Sequence, residues 1–134
     1  MVNHTVKILF ATFFLLLLAS CGGGGDVSDG GDYTLPSYGA IAISTTNGSA
    51  GIAGNYSSQS EANKNAVNTC GAGCTTILEY GSYKCGALAR AANSITFGWS
   101  SNSKQSDAES NAVLLCTQKN GVGCAVVLSE CNES

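Results

Sequence analysis

The sequence predicts an α+β fold of two pseudo-symmetric strand-strand-helix-strand repeats, an antiparallel sheet with two helices packed on it, stapled by disulfides. Three observations predict it. The segment Gln59 to Cys70 recurs as Gln105 to Cys116, each copy is followed by Gly-x-Gly-Cys (Gly71 to Cys74, Gly121 to Cys124), and short apolar runs flank both copies. The repeats run from about 38 to 84 and from 85 to 131, inside a domain spanning 38–134.

Two segments precede that domain. Residues 1–20 read as a signal peptide: Lys7, then the apolar run Ile8 to Leu18, then small residues. The run is too short to span a bilayer comfortably. It ends in Leu18-Ala19-Ser20-Cys21, which resembles the lipobox of bacterial lipoproteins and predicts acylation at Cys21. Gly22 after the cysteine favours the outer membrane, facing the periplasm, so the membrane is an expected partner through that anchor. Residues 21–37 are then a lipidated Gly/Asp/Ser tether, too poor in apolar side chains to fold, that holds the domain on the order of 20 Å from the lipid. Pro36 marks its end.

In the domain, Tyr38 to Ser44 reads as a first strand, and Asn47-Gly48 as a hairpin turn. A second strand is expected near Ser49 to Tyr56, although Gly51-Ile52-Ala53-Gly54 contains poor strand formers. Ser60 is the expected N-cap of the first helix, whose inward face is Ala62, Ala66, Val67 and Cys70. In the second copy Ser106 is the expected cap, with Glu109 completing a capping box. The Gly-x-Gly loops supply C-caps, and they follow helices, whereas a phosphate cradle precedes one. Apolar strands come next, Thr75 to Tyr80 and Ala125 to Ser129. Gly81-Ser82 turns into the second repeat, where Cys85 to Ala89 echoes Tyr38 to Ala42. Ser94 to Ser100 is its second strand, with Ile95, Phe97 and Trp99 alternating onto one face.

Past Cys21, six cysteines remain: Cys70, Cys74, Cys85, Cys116, Cys124 and Cys131. In an oxidising compartment an even set reads as disulfides, and the spacings are not matched zinc-ligand pairs. Six cysteines admit many pairings. Equivalent pairing of equivalent positions gives Cys70 with Cys74 and Cys116 with Cys124, leaving Cys85 and Cys131, equivalent to one another, to join the halves.

Chemistry is sparse. The single histidine, His4, lies in the signal peptide, which removes imidazole from the mature chain and with it most hydrolase mechanisms and mixed zinc sites. No metal or cofactor is expected. The net charge of −3 and scarcity of basic clusters exclude nucleic acid as a partner. Ser103-Lys104 reads as a solvated turn and not a catalytic dyad. Glu61, Asp107 and Glu109 are carboxylates that an envelope hydrolase or carbohydrate-active enzyme would use, but the helix dipole accounts for their positions.

The Tyr38-to-Ala42 motif, the alanine-rich helix closing on a cysteine, the Gly-Cys before a strand and the Cys85-to-Ala89 motif together resemble the bacterial family known as domain of unknown function 4189, from Tyr38 to Cys131. The resemblance implies a secreted or periplasmic protein, often a lipoprotein, and transfers no catalytic residue. The sequence thus points to a non-enzymatic module that binds an envelope or secreted protein, one version being an inhibitor or immunity lipoprotein against a cell-wall hydrolase. Tyr56, Tyr80, Tyr83 and Trp99 are the candidate binding residues, because large amphipathic rings dominate interface hot spots. Tyr80 and Tyr83, flanking the Gly81-Ser82 turn, are expected at the surface, and Trp99 in the core.

Overall fold

In the computed structural model, residues 34–92 and 95–133 are described. The signal peptide, Cys21, the tether as far as residue 33, and Ser94 of the expected strand lie outside the described residues. The chain runs β1 (Tyr38–Ile43), β2 (Ala50–Tyr56), α1 (Gln59–Cys70), β3 (Thr75–Tyr80), then β4 (Cys85–Arg90), β5 (Phe97–Asn102), α2 (Gln105–Gln118) and β6 (Ala125–Cys131). The strand-strand-helix-strand order therefore holds in both halves. Each half closes its own three-stranded antiparallel sheet, ordered β2-β1-β3 and β5-β4-β6, so the six strands form two sheets and not one.

The central strands explain how these sheets and helices stack. Side chains alternate faces along a strand. In β1, Ala40 and Ala42 join Ala62, Ala66 and Cys70 of α1 in one buried cluster. Ile41 and Ile43 point the other way and join Leu88 of β4, Phe97 and Tyr80 in another. β4 repeats the division, with Ala87 and Ala89 under Ala108, Ala112 and Cys116 of α2. The order is helix, sheet, sheet, helix, with small residues beneath each helix and large aliphatics between the sheets.

Glycine sets how closely the helices approach. A Cβ on Gly51 would collide with the Ala66 carbonyl oxygen and the Cys70 amide of α1. One on Gly98 would strike the equivalent Ala112 carbonyl and Cys116 amide of α2. The weak strand formers in β2 are thus the residues that let helix backbone rest on the sheet. Bulges also recur: the register shifts between Ile41 and Ala42 against β3, and between Leu88 and Ala89 against β6.

Several local expectations are corrected. α1 is capped by Ser58 and not Ser60: the Ser58 hydroxyl accepts from the Glu61 amide, and the Glu61 carboxylate accepts from the hydroxyls of Ser57 and Ser58. α2 begins after Lys104 with no side-chain cap, so Ser106 lies inside the helix and Glu109 instead accepts from Gln105. The hairpin turn is longer than two residues, with Ser44 bonded to Ser49 and only Gly48 at positive φ, 77°. β5 begins at Phe97, leaving Ile95 45% exposed and outside the strand. Ser37, just before the expected start of the domain at 38, is buried, and its amide donates to the Ser82 hydroxyl.

The three disulfides are Cys70–Cys74, Cys116–Cys124 and Cys85–Cys131. The last does not join the halves. Cys85 opens β4 and faces Cys131 of β6 in register, within one sheet. The two are therefore not equivalent positions, and Tyr38 and Gly81 stand at the corresponding places of the first repeat. Cysteine spacing also shows where the repeats diverge: a separation of 4 becomes 8, because α2 continues past Cys116 to Gln118. Asn120, at φ 64°, then makes the turn, and Gly121 is glycine because a Cβ there would meet the sulfurs of Cys116 and Cys124.

Candidate functional site

β1 and β4 both start at one end of the domain, here called proximal, where the chain enters from residue 34. The β1–β2 turn, the end of β4, the start of β5 and both helix C-termini lie at the opposite, distal end. Each of the four aromatic candidates occupies a definite place in this frame, and they do not form a common site.

Tyr80 is buried, 3% exposed, which overturns the expectation that it lies at the surface. Its ring occupies a slot between Gly39 and Gly86, where a Cβ on either glycine would overlap it, and its hydroxyl donates to the Ala53 carbonyl at 3.4 Å. The paired glycines were the available signal, since only two strands lacking side chains at facing positions leave room for a ring. Burial, and next the nearby Glu130 carboxylate, push the Tyr80 phenol well above its ordinary range. Tyr83 is 62% exposed at φ 56°, in the turn closed by the Lys84 amide and Gly81 carbonyl. Tyr56 is half-buried beside Leu35, Pro36 and Glu133, around a proximal cavity of about 280 Å³. Trp99 packs against the inter-sheet core as expected, with the Lys119 ammonium 3.8 Å from its ring centroid and donating to the Phe97 carbonyl.

The carboxylates are dispersed. Glu61 serves the start of α1, while Asp107 and Glu109 lie at the start of α2, on a helix against the other sheet. Glu130, which sequence reasoning passed over, stands out more: it is half-buried against Gly54 near Tyr80, and burial raises its pKa. Among the described residues no three metal-ligating side chains cluster, and no helix is long and apolar enough to cross a membrane.

What distinguishes one part of the surface from another is the departure of the second repeat from the first. Val122 is 64% exposed, Val126 38% and Val127 42%, in the loop before β6 and on β6 itself. The equivalent positions are Ala72, Thr76 and Ile77, the last two half-buried. On α2, Leu114 and Leu115 are exposed where α1 has Asn68 and Thr69. At Leu114, Leu115, Val122 and Val126 the second repeat thus exceeds in apolar surface what the first has, whereas Val127 matches the apolar Ile77 and is only more exposed.

A twice-built helix-sheet unit, stapled by three disulfides, defines the class: a small disulfide-bonded α+β domain. Residues 38–131 match the family described as domain of unknown function (DUF4189), and the chain belongs to that family. Among solved structures it is similar to the NMR structure of Rv1813c from Mycobacterium tuberculosis, at 24% identity and TM-score 0.53, over 84% of this chain and 94% of that one. That likeness concerns the fold. No curated protein matches the chain.

Proposed function

We propose that the chain is a lipid-anchored envelope protein whose domain is a non-enzymatic protein-binding module, held by Cys21 in the outer membrane and facing the periplasm. The observation that carries this reading is the exposed apolar surface of Val122, Val126 and Val127, where the other copy has the smaller Ala72, the polar Thr76 and a half-buried Ile77. Exposed apolar residues gathered on one element mark interaction surfaces. β6 is an edge strand, and its bulge at Val127 interrupts the pairing that would invite another strand. The partner therefore meets the side chains of β6 and is a folded protein surface. A secreted cell-wall hydrolase that the module blocks is one such partner.

Capture from solubilised envelope by the tagged full chain tests this, run beside Val126→Asp with Val127→Asp and the control Thr76→Asp. Saturable capture of one protein, lost in the valine variant and kept in the control, is the expected result. Equal capture by all three sinks the reading. Membrane fractionation of Cys21→Ser tests the anchor, and pelleting equal to that of the parent chain would remove it.

A further inference from the structure

At the distal end lies a cleft of about 240 Å³, lined by Asn47 and Gly48 after β1 and by Arg90, Ala91, Ala92 and Ile95 at and after the end of β4. Arg90 is the only arginine of the chain. It ends β4 opposite Ala125, the place where β1 has Ile43 opposite Thr75. Ile43 is 3% exposed and belongs to the inter-sheet core, whereas Arg90 is exposed. The scaffold is satisfied by an apolar residue here, so a guanidinium is an addition to it.

One of its nitrogens, Nη1, donates to the Gly48 carbonyl at 2.9 Å, which fixes the side chain across the two repeats. A guanidinium carries five N–H donors, and among the described residues the fold uses this one bond. Beside it, the Asn47 side-chain oxygen accepts from the Ser49 amide, leaving the Asn47 amide nitrogen available. None of the six lining residues is acidic, and the exposed apolar side chains of the walls are Ala92 and Ile95, Ala91 being buried in the cluster under α2. A planar donor fork matches a carboxylate by two parallel bonds. A doubly charged phosphate fits less well, because Arg90 is the single cation of the lining and its walls are apolar.

We propose that this cleft binds a carboxylate flanked by a small apolar side chain, as at the carboxy terminus of a peptide, with Arg90 holding the carboxylate and Ala92 and Ile95 the side chain. The cleft adjoins the valine surface, the Ala92 amide donating to the Val122 carbonyl, but it rests on different side chains, so either assignment can fail alone.

The test is an NMR titration of the full chain in detergent with N-acetyl-alanyl-alanine, its carboxy-terminal amide, and free alanine. The acid is expected to saturate shifts at Ala91, Ala92 and Ile95 with a Kd on the order of 1 mM, as befits so small a ligand. The amide and Arg90→Gln are expected to bind about tenfold more weakly or worse, since each removes one side of a charge-assisted pair. Arg90→Lys keeps the charge without the fork and falls between. Ala92→Leu fills the cleft while leaving the Arg90–Gly48 bond in place, so it abolishes binding in a folded protein and decides the matter should Arg90→Gln unfold. Equal binding of acid and amide overturns the proposal, as does unchanged binding by Ala92→Leu. Free alanine binding as tightly as the dipeptide overturns the assignment to a peptide terminus.

Discussion

Asn55 and Asn132 hold the two repeats together reciprocally. The Asn132 side-chain oxygen accepts from the Asn55 amide at 2.9 Å, and the Asn55 side-chain oxygen accepts from the Glu133 amide at 2.6 Å. The Asn132 side-chain nitrogen also donates to the carbonyls of Tyr80 and Gly81. One buried amide thus joins the end of β6 to β2 and to the β3–β4 turn. Asn55 takes φ 61° to do so, a conformation asparagine tolerates better than most residues.

Asn132→Ala strands those partners in a site 5% exposed. A buried group left without a partner costs about 1–3 kcal/mol, and this substitution leaves several. Urea unfolding is expected to show a loss of about 3 kcal/mol. Asn55→Ala, at an exposed position, is expected to lose less.

Gly98→Ala tests the close approach of α2 to β5. A methyl group there meets helix backbone, which cannot rotate away as a side chain would. Overpacking of this kind costs about 1–3 kcal/mol. Gly81→Ala, with nothing within 4 Å of the added carbon and no positive φ, is the matched control and is expected to leave thermal unfolding nearly unchanged.

The disulfides are expected to differ by loop length. Cys85–Cys131 closes a separation of 46, and Cys70–Cys74 one of 4. Loop-closure entropy gives about 4 kcal/mol for the first and about 2 for the second. Replacing Cys85 and Cys131 together with serine should therefore lower the denaturant midpoint more than replacing Cys70 and Cys74. The reverse order would place the stabilisation in the helix-end staples.

The duplication made most of the architecture legible, because a helix and its Gly-x-Gly-Cys loop occurring twice fix both boundaries and the pairing of two disulfides. Two sheets rather than one were not legible. Ile41 and Leu88 are as apolar as any central strand residue, and only their packing in one cluster shows that the sheets face each other. Tyr80 was misplaced because a tyrosine beside a Gly-Ser turn has the local signature of an exposed residue, and the slot made by Gly39 and Gly86 comes from distant strands. The cap of α1 was misread by two residues since Ser57, Ser58 and Ser60 all offer the hydroxyl, and only the Glu61 bonds choose between them. The surface candidates became visible only by comparing repeats in register, where Arg90 replaces Ile43 and Val126 replaces Thr76.

Glu130 gives the chain a pH dependence with a definite sign. Its carboxylate lies half-buried against Gly54, and burial holds its pKa above the ordinary value of 4.5. The folded state therefore retains this proton to higher pH than the unfolded chain does. Stability from the neutral form is fully present below about the ordinary carboxylate pKa and is lost as pH rises through the raised one. Tyr80 acts in the same direction on the alkaline side: its phenol is also raised, by burial first and by Glu130 second, so ionising it above its ordinary pKa of 10.0 weakens the fold further. Glu130→Gln keeps the shape without the charge. It is expected to be more stable than the parent chain at neutral pH, with the difference shrinking to nothing in acid, while Tyr80→Phe removes the alkaline loss and, at every pH, the bond to the Ala53 carbonyl. The measurement is denaturant unfolding from acid to alkaline pH on all three proteins. Parallel curves for Glu130→Gln and the parent chain across that range would show that solvent already satisfies the carboxylate beside Gly54.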